Sequence, residues 1–245
     1  MHFNCNFSLE HYFDVLDYAK KSYKIGIIKD FYKLQKNNRF IILRHDVDFS
    51  IDISLELAKL EMEHGISSTY FILLQSQYYN ALSDLNIEKI KQFLKFGHEI
   101  GLHYDLSPTK SDEQALDMVI KESELLENLI NSKICSISPH NVSLTSKKII
   151  YDHLNFIDAT DPKILNSVKY VSDSVQNWRS GCMCNHIDNE SKLIILTHPI
   201  WWMKSPNSRE KILSNFEINQ METIRTLVNE TKQIHQSYFE KLKNE

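Results

Sequence analysis

A strong excess of either charge is missing from this sequence. Its 245 residues carry 28 Lys and Arg against 32 Asp and Glu, for a formal net charge of −4. That balance offers no basic face for nucleic acid, and no acidic block marks a disordered tail. Long apolar runs are missing too. No stretch approaches the roughly 18–20 residues that cross a bilayer, so no membrane span is expected. Met1–Phe13 alternates polar and aromatic residues and lacks the basic segment and apolar run of an export signal. Cysteine is scarce: Cys5, Cys135, Cys182 and Cys184 have no spacing typical of a disulfide framework. A cytoplasmic protein, with its thiols reduced, is the expectation. There is no internal repeat, low-complexity tract or Gly/Ser linker, and a hydrophobic content of 42% suffices for one sizeable core. A single domain over 1–245 is expected, with its core at about 38–204 and a helical region at about 207–243.

What is present is an alternation of apolar strands and amphipathic helices. Ser8 is placed to cap a helix running to about Lys21. Arg39–Asp48 is an apolar run that ends in charged residues, as a buried parallel strand does when it delivers polar groups at its C-terminal end. Ser50 reads as an N-cap; Ile51, Leu55, Ala58 and Met62 follow at helical spacing, with Gly65 beyond the C-terminus. Further strands are predicted at Ser68–Leu74, His98–His103, Ile134–Ile137, Phe156–Asp158, Tyr170–Val171 and Leu193–Leu196. Further helices are predicted at Ile87–Phe96, Asp112–Asn131, Thr145–His153 and Arg209 to about Lys243. Strand–helix alternation implies an α/β fold with a parallel sheet, whose C-terminal strand edge carries the active site.

Polar residues gather where these strands end: Arg44-His45-Asp46-Val47-Asp48, His98-Glu99-Ile100-Gly101-Leu102-His103, Ser138-Pro139-His140 and Thr197-His198-Pro199. Carboxylates and imidazoles suit a divalent metal such as zinc. Side chains alternate along a strand, so Asp46 and Asp48 share a face and His45 is out of phase with them. Two carboxylates on one face need a cation or a proton between them. His98 is read as a structural histidine bonding a backbone group, and His2, His11, His64, His153 and His235 as surface residues. Cys182-Met183-Cys184 with His186 invites a zinc reading, but Cys-x-Cys lacks the usual spacing and has no second cysteine pair.

These segments, in this order, resemble the NodB-homology polysaccharide deacetylases, carbohydrate esterase family 4. Arg44–Asp48 looks like a variant of that family's Asp-Asp first motif, with the second Asp moved one residue on. Gly97–His103 is similar to its second motif, Ser138-Pro139-His140 to its third, and Leu196-Thr197-His198 to its last. The likeness runs over roughly Phe40–Trp202. It implies a distorted (β/α) barrel with helical N- and C-terminal extensions and a metal-dependent deacetylase. In it Asp46 would be the base, His198 the acid, and Asp48 and His103 metal ligands. The family's second histidine would fall four residues after His103, where Ser107 stands. His140 is the expected replacement and Asp105 the runner-up.

Ser172-Asp173-Ser174, Trp178-Arg179 and His198–Trp202 resemble a divergent branch found in surface-polysaccharide gene sets. Arg44, Asp105, Asp173, Trp178, Arg179 and Trp201 are the expected substrate contacts. Arg44 has a second reading as the partner that keeps Asp46 ionised, and Trp201 one as a core or dimer contact. The expected substrate is a small or nucleotide-linked N-acyl amino sugar, with no nucleic acid partner; the helical tail suits either an oligomer contact or a cover for the barrel. Two rivals are a non-catalytic glycan- or protein-binding relative and a metal hydrolase acting on a cyclic amide or ester.

Overall fold

The computed structural model describes residues 3–140 and 155–243. The helix expected at Thr145–His153 lies outside the described residues. By its internal contacts the chain divides into two units, Met1–Ser205 and Pro206–Glu245.

In the first unit, α1 (Leu9–Ala19) is capped by Ser8, whose hydroxyl accepts from the His11 N–H. It is followed by β1 (Lys24–Gly26), a 3-10 turn at Ile28–Asp30 and the single-turn α2 (Phe31–Leu34). Three strand–helix pairs come next: β2 (Phe40–Val47) with α3 (Ile51–Glu63), β3 (Thr69–Leu73) with α4 (Asp84–Lys95), and β4 (Glu99–Tyr104) with α5 (Asp112–Ile130). Then follow β5 (Ser136–Pro139), β6 (Ile157–Asp158), α6 (Pro162–Leu165), β7 (Lys169–Ser172) and β8 (Lys192–Thr197). Serines at positions 50, 83 and 111 cap α3, α4 and α5 by accepting a backbone N–H three residues on. In the second unit, α7 spans Arg209–Lys243. Among the described residues, no helix is long and apolar enough to cross a membrane.

Every pairing in the sheet is parallel, and the order is β6-β5-β4-β3-β2-β8-β7. β1 pairs with the first three residues of β2, just before β3 takes over that edge. Among the described residues β6 and β7 remain edges, so this is an interrupted barrel, with a parallel sheet and helices around it. The elements that sequence periodicity did not reveal, β1, α2 and α6, are all four residues or fewer, too short to establish a period.

The two-residue strand period sorts the side chains. Ile100, Leu102 and Tyr104 of β4, with Val47, Tyr70, Ile72 and Ile137, face the helices and form the larger core cluster. Phe40 and Ile42 of β2, Phe71 and Ile194 face the other way and pack on Ile28, Phe31 and Leu34, which plug that side. Arg44 and Asp46 continue the Phe40–Ile42 face, and Glu99, Gly101 and His103 the inner face of β4. Gly101 is required there: a Cβ would stand 2.4 Å from the Phe71 ring and 2.9 Å from the Ser136 carbonyl oxygen.

The helix-facing side carries a buried polar knot. Glu61 of α3 accepts from the hydroxyls of Tyr12 (2.5 Å), Tyr70 (2.7 Å) and Ser68 (2.5 Å), and its Oε1 is 3.0 Å from His45 Nε2. His45 Nδ1 is 2.6 Å from the Thr197 hydroxyl. His98, as expected, bonds backbone: its Nε2 is 2.8 Å from the Ala58 carbonyl oxygen. Two histidines read as surface residues are not. His11 is 4% exposed, and His64, half-buried, stacks on Phe13 and pairs with Asp17. Both lie on the apolar faces of their segments, which single-residue reading overlooked. His235 is exposed; His2 and His153 lie outside the described residues.

Candidate metal centre and active site

The register sets the site. Val47 pairs with Ile72, Leu73 with His103, and His103 with Ser138, so Asp48, His103 and the residue pair Ser138–His140 come level at the C-terminal edge. The strand end is tied down: the Val47 carbonyl accepts from the Tyr79 hydroxyl (2.6 Å) and the Asp48 carbonyl from Ser76 (2.9 Å). The His140 N–H donates to the Tyr104 carbonyl (2.7 Å).

Asp48, His103 and His140 form a triangle. Asp48 Oδ1 is 3.3 Å from His103 Nε2 and 3.4 Å from His140 Nδ1, and these two nitrogens are 3.2 Å apart. The Ser138 carbonyl, 2.8 Å from His103 Nδ1, accepts from that nitrogen and turns Nε2 inward. Asp48 Oδ1 is buried and finds no aligned hydrogen-bond donor. Three electron-rich atoms around one point are stable only with a proton or a cation between them. Oxygen and nitrogen ligands at about 2.0–2.1 Å from a tetrahedral ion stand about 3.3 Å apart, which is the spacing of this triangle, so these residues fit a divalent cation. Ser107, where the resembled family has its second histidine, is exposed; Asp105 is turned to the backbone, accepting from the Ser107 N–H at 2.8 Å. His140, and not Asp105, completes the triangle.

On one side stands Asp46, with its Oδ2 3.6 Å from His103 Nε2. Arg44 Nη2 donates to both Asp46 oxygens, at 2.6 and 2.8 Å, and also to Ser138 Oγ. The guanidinium lies over the Phe71 ring, 4.8 Å from its centroid. Burial works against a charged Asp46, but Arg44, then His103 and His198, outweigh it and hold the carboxyl below its ordinary range. Asp48 is held well below that range in the same way: burial is opposed and overcome by the facing His103 and His140.

On the other side stands His198, whose Nε2 is 3.8 Å from Asp48 Oδ2. Its Nδ1 is 2.7 Å from Asp173 Oδ1. Burial would lower the imidazole pKa, but Asp173 first and then Asp48 and Asp46 prevail and keep it up at about 9. Asp173 is in turn fixed by the Trp202 indole N–H, which donates to Oδ2 at 2.9 Å.

Several expected substrate contacts take other places. Arg44 is 1% exposed and spent on Asp46, so its second reading, as the partner that keeps Asp46 ionised, is the one the structure supports. Asp173 has no exposed surface and stands behind His198, where it cannot touch a ligand directly. Trp201 is 4% exposed and fits its core reading, with its ring edge-on to Phe49 at 5.9 Å. Trp178 is half-buried and stacks on Phe7 at 6.0 Å. Arg179 is exposed.

Sequence reasoning missed Ser138 as a support for Arg44 and Trp202 as a support for Asp173, since both contacts join residues far apart in the chain. It also missed Phe49 and Tyr78, which stack at 4.9 Å beside the triangle, with Tyr78 48% exposed. A shallow surface cleft lies there, lined by Asp46, Asp48, Phe49, Ser50 and Pro199 among others.

No protein-family model and no curated protein matches the chain. Solved structures do. A CE4 family pseudoenzyme from Bacillus anthracis is 16% identical, with a TM-score of 0.46 over 76% of this chain and 62% of that one. The chain therefore spans less than two thirds of that structure's length. A chitin deacetylase from the fungal pathogen Colletotrichum lindemuthianum is 14% identical, with a TM-score of 0.47 over 75% of this chain and 81% of that one. A family 4 acetyl xylan esterase from Clostridium thermocellum, in complex with a cobalt ion, is 14% identical, with a TM-score of 0.46 over 75% and 83%. The solved structures to which this chain is similar are thus CE4 family deacetylases and esterases, a pseudoenzyme among them.

Proposed function

We propose that this protein is a metal-dependent hydrolase that removes a small N-acyl group from an amino sugar. The observation that carries the reading is the Asp48–His103–His140 triangle, flanked by two groups clamped in opposite charge states. Arg44 keeps Asp46 a carboxylate, and Asp173 keeps His198 an imidazolium. An acid and a base on either side of one ligand cluster are what hydrolysis of an amide requires.

Asp48, His103 and His140 would hold the cation, and zinc suits this ligand set. When bound, a divalent cation supplies Lewis-acid polarisation of the acyl carbonyl and of water. Asp46 accepts a proton from the attacking water, whose oxygen forms the new bond to the acyl carbon. His198 gives its Nε2 proton to the sugar nitrogen as the carbon–nitrogen bond breaks. The products are a free amine and a small carboxylic acid. Phe49 and Tyr78 offer an aromatic face on which a sugar ring can stack, beside the cleft at Asp46 and Asp48. The substrate class, a small or nucleotide-linked N-acyl (acetyl or formyl) amino sugar used in surface-glycan synthesis, rests on the motif resemblance together with this aromatic face.

The test is elemental analysis and amine release from a panel of N-acetyl and N-formyl sugars, cyclic amides and esters. Asp48→Ala, His103→Ala and His140→Ala are each expected to lose one metal equivalent and all turnover. Full metal retention in His140→Ala would remove that residue from the ligand set. Metal binding without turnover on any substrate would favour a non-catalytic glycan-binding role.

A further inference from the structure

Three of the chain's four cysteines converge outside the triangle. Cys182 and Cys184 flank Met183 at the start of a 3-10 turn, Met183–Asn185, after the positive-φ Gly181. Cys5 approaches from the N-terminal coil, and His11 from the first turn of α1. One donor atom from each of Cys5, His11, Cys182 and Cys184 can be chosen so that all lie within 4.8 Å of one another. His11 Nε2 is 3.2 Å from Cys182 Sγ. All three cysteines are free thiols.

We propose that Cys5, His11, Cys182 and Cys184 form a second metal site, a structural one, that takes zinc through three thiolates and one imidazole. Four protein donors with no place left for water are the mark of a structural zinc site. Zinc at about 2.3 Å from sulfur and about 2.0–2.1 Å from nitrogen would set its ligands about 3.5–3.8 Å apart, a separation this cluster already approximates. Soft sulfur donors exclude magnesium and calcium. Each thiol gives up its proton as the metal enters.

The site fastens what stands behind the general acid. It joins the N-terminal segment to the 181–187 loop, and from that segment Phe7 stacks on Trp178 and packs on Trp202 at 5.3 Å. The same segment is stitched to the chain just past the turn after β8 by Leu9 N–H to the Met203 carbonyl (2.8 Å) and Met203 N–H to the Phe7 carbonyl (3.2 Å). Trp202 in turn holds Asp173, and Asp173 holds His198. The cysteine cluster thus lies one aromatic layer behind His198. His186, which sequence spacing associated with these cysteines, is not a member: its Nε2 is 2.9 Å from the Ser180 carbonyl oxygen. The missing partners of Cys-x-Cys are Cys5 and His11.

Cobalt substitution tests this without reference to activity. The full-length protein, purified under reducing conditions, is expected to show near-ultraviolet thiolate-to-cobalt charge transfer and the visible bands of a tetrahedral site. The thiolate band should survive in Asp48→Ala, because the triangle contains no sulfur, and vanish in Cys182→Ser/Cys184→Ser. Absence of the band in the parent, or an undiminished band in the double variant, overturns the proposal. Should the double variant fail to fold, Cys5→Ser, a change in exposed coil, is expected to release zinc to a chelator at about tenfold lower chelator concentration or less. Zinc held as tightly as in the parent would overturn the four-ligand site.

Discussion

His198 is fastened to Asp173 twice: its Nδ1 lies 2.7 Å from Asp173 Oδ1, and its backbone N–H donates to the same oxygen at 3.0 Å. The double contact fixes both the ring's orientation and its charge, and leaves Nε2 as the proton-bearing atom toward Asp48. Asp173→Asn keeps the shape and removes the charge, so the imidazole pKa falls from about 9. An acid must be protonated to act, so the alkaline limb of the pH–rate profile is expected to move to lower pH. The loss in kcat should be on the order of 10²- to 10⁴-fold. An unmoved limb would remove His198 from the role of acid.

Arg44→Met is the matching experiment on the base. It leaves Asp46 buried with no cationic partner, at a cost of about 3–5 kcal/mol in stability. Its pKa then rises, because burial is no longer opposed by Arg44. A base must be ionised to act, so the acidic limb should shift to higher pH, and denaturant titration with pH–rate curves reads both effects. Arg44→Lys is expected to recover charge but not the double contact to Asp46, and so to lie between the two.

Glu61 makes stability acid-sensitive. Burial alone would raise its pKa, but His45, then His98 and Ser68, bring it from 4.5 to about 2. A carboxylate depressed on folding contributes its stability above the unfolded value and loses it as pH falls through the folded one. The contribution, on the order of 3 kcal/mol, is therefore present above about pH 4.5 and lost between there and about pH 2. The denaturant midpoint of the parent should fall across that window. The Glu61→Gln curve should start lower at neutral pH, since an amide cannot accept from all four of its present partners, and should be flatter. Parallel curves would show that Glu61 is not the titrating group.

Much of the scaffold is legible from local chemistry. Ser8 and Ser50 announce helices because an N-cap hydroxyl satisfies an N–H three residues ahead, a contact within one turn. The run Phe40–Val47 announces a buried strand, and its period of two places Asp46 with Arg44 and His45 opposite. Helix boundaries moved by a few residues: α4 begins at Asp84 instead of Ile87, because its cap is Ser83 and its first turn is polar. β1 and α2 escaped notice, being held by the β2 edge and the inner core cluster, not by their own propensity.

Helix and strand periods and caps are local, so strand ends, the phase of their side chains and the kinds of donor they deliver are written in the chain. Which of those donors meet follows from how the strands are ordered and packed. His140 reaches Asp48 through the β4–β5 register, and Asp105 does not. Asp173 stands behind His198 because β7 lies beside β8. Cys5 and His11 find Cys182 and Cys184 across most of the chain. Contacts over such separations are set by sheet order and loop closure, and no local period encodes them.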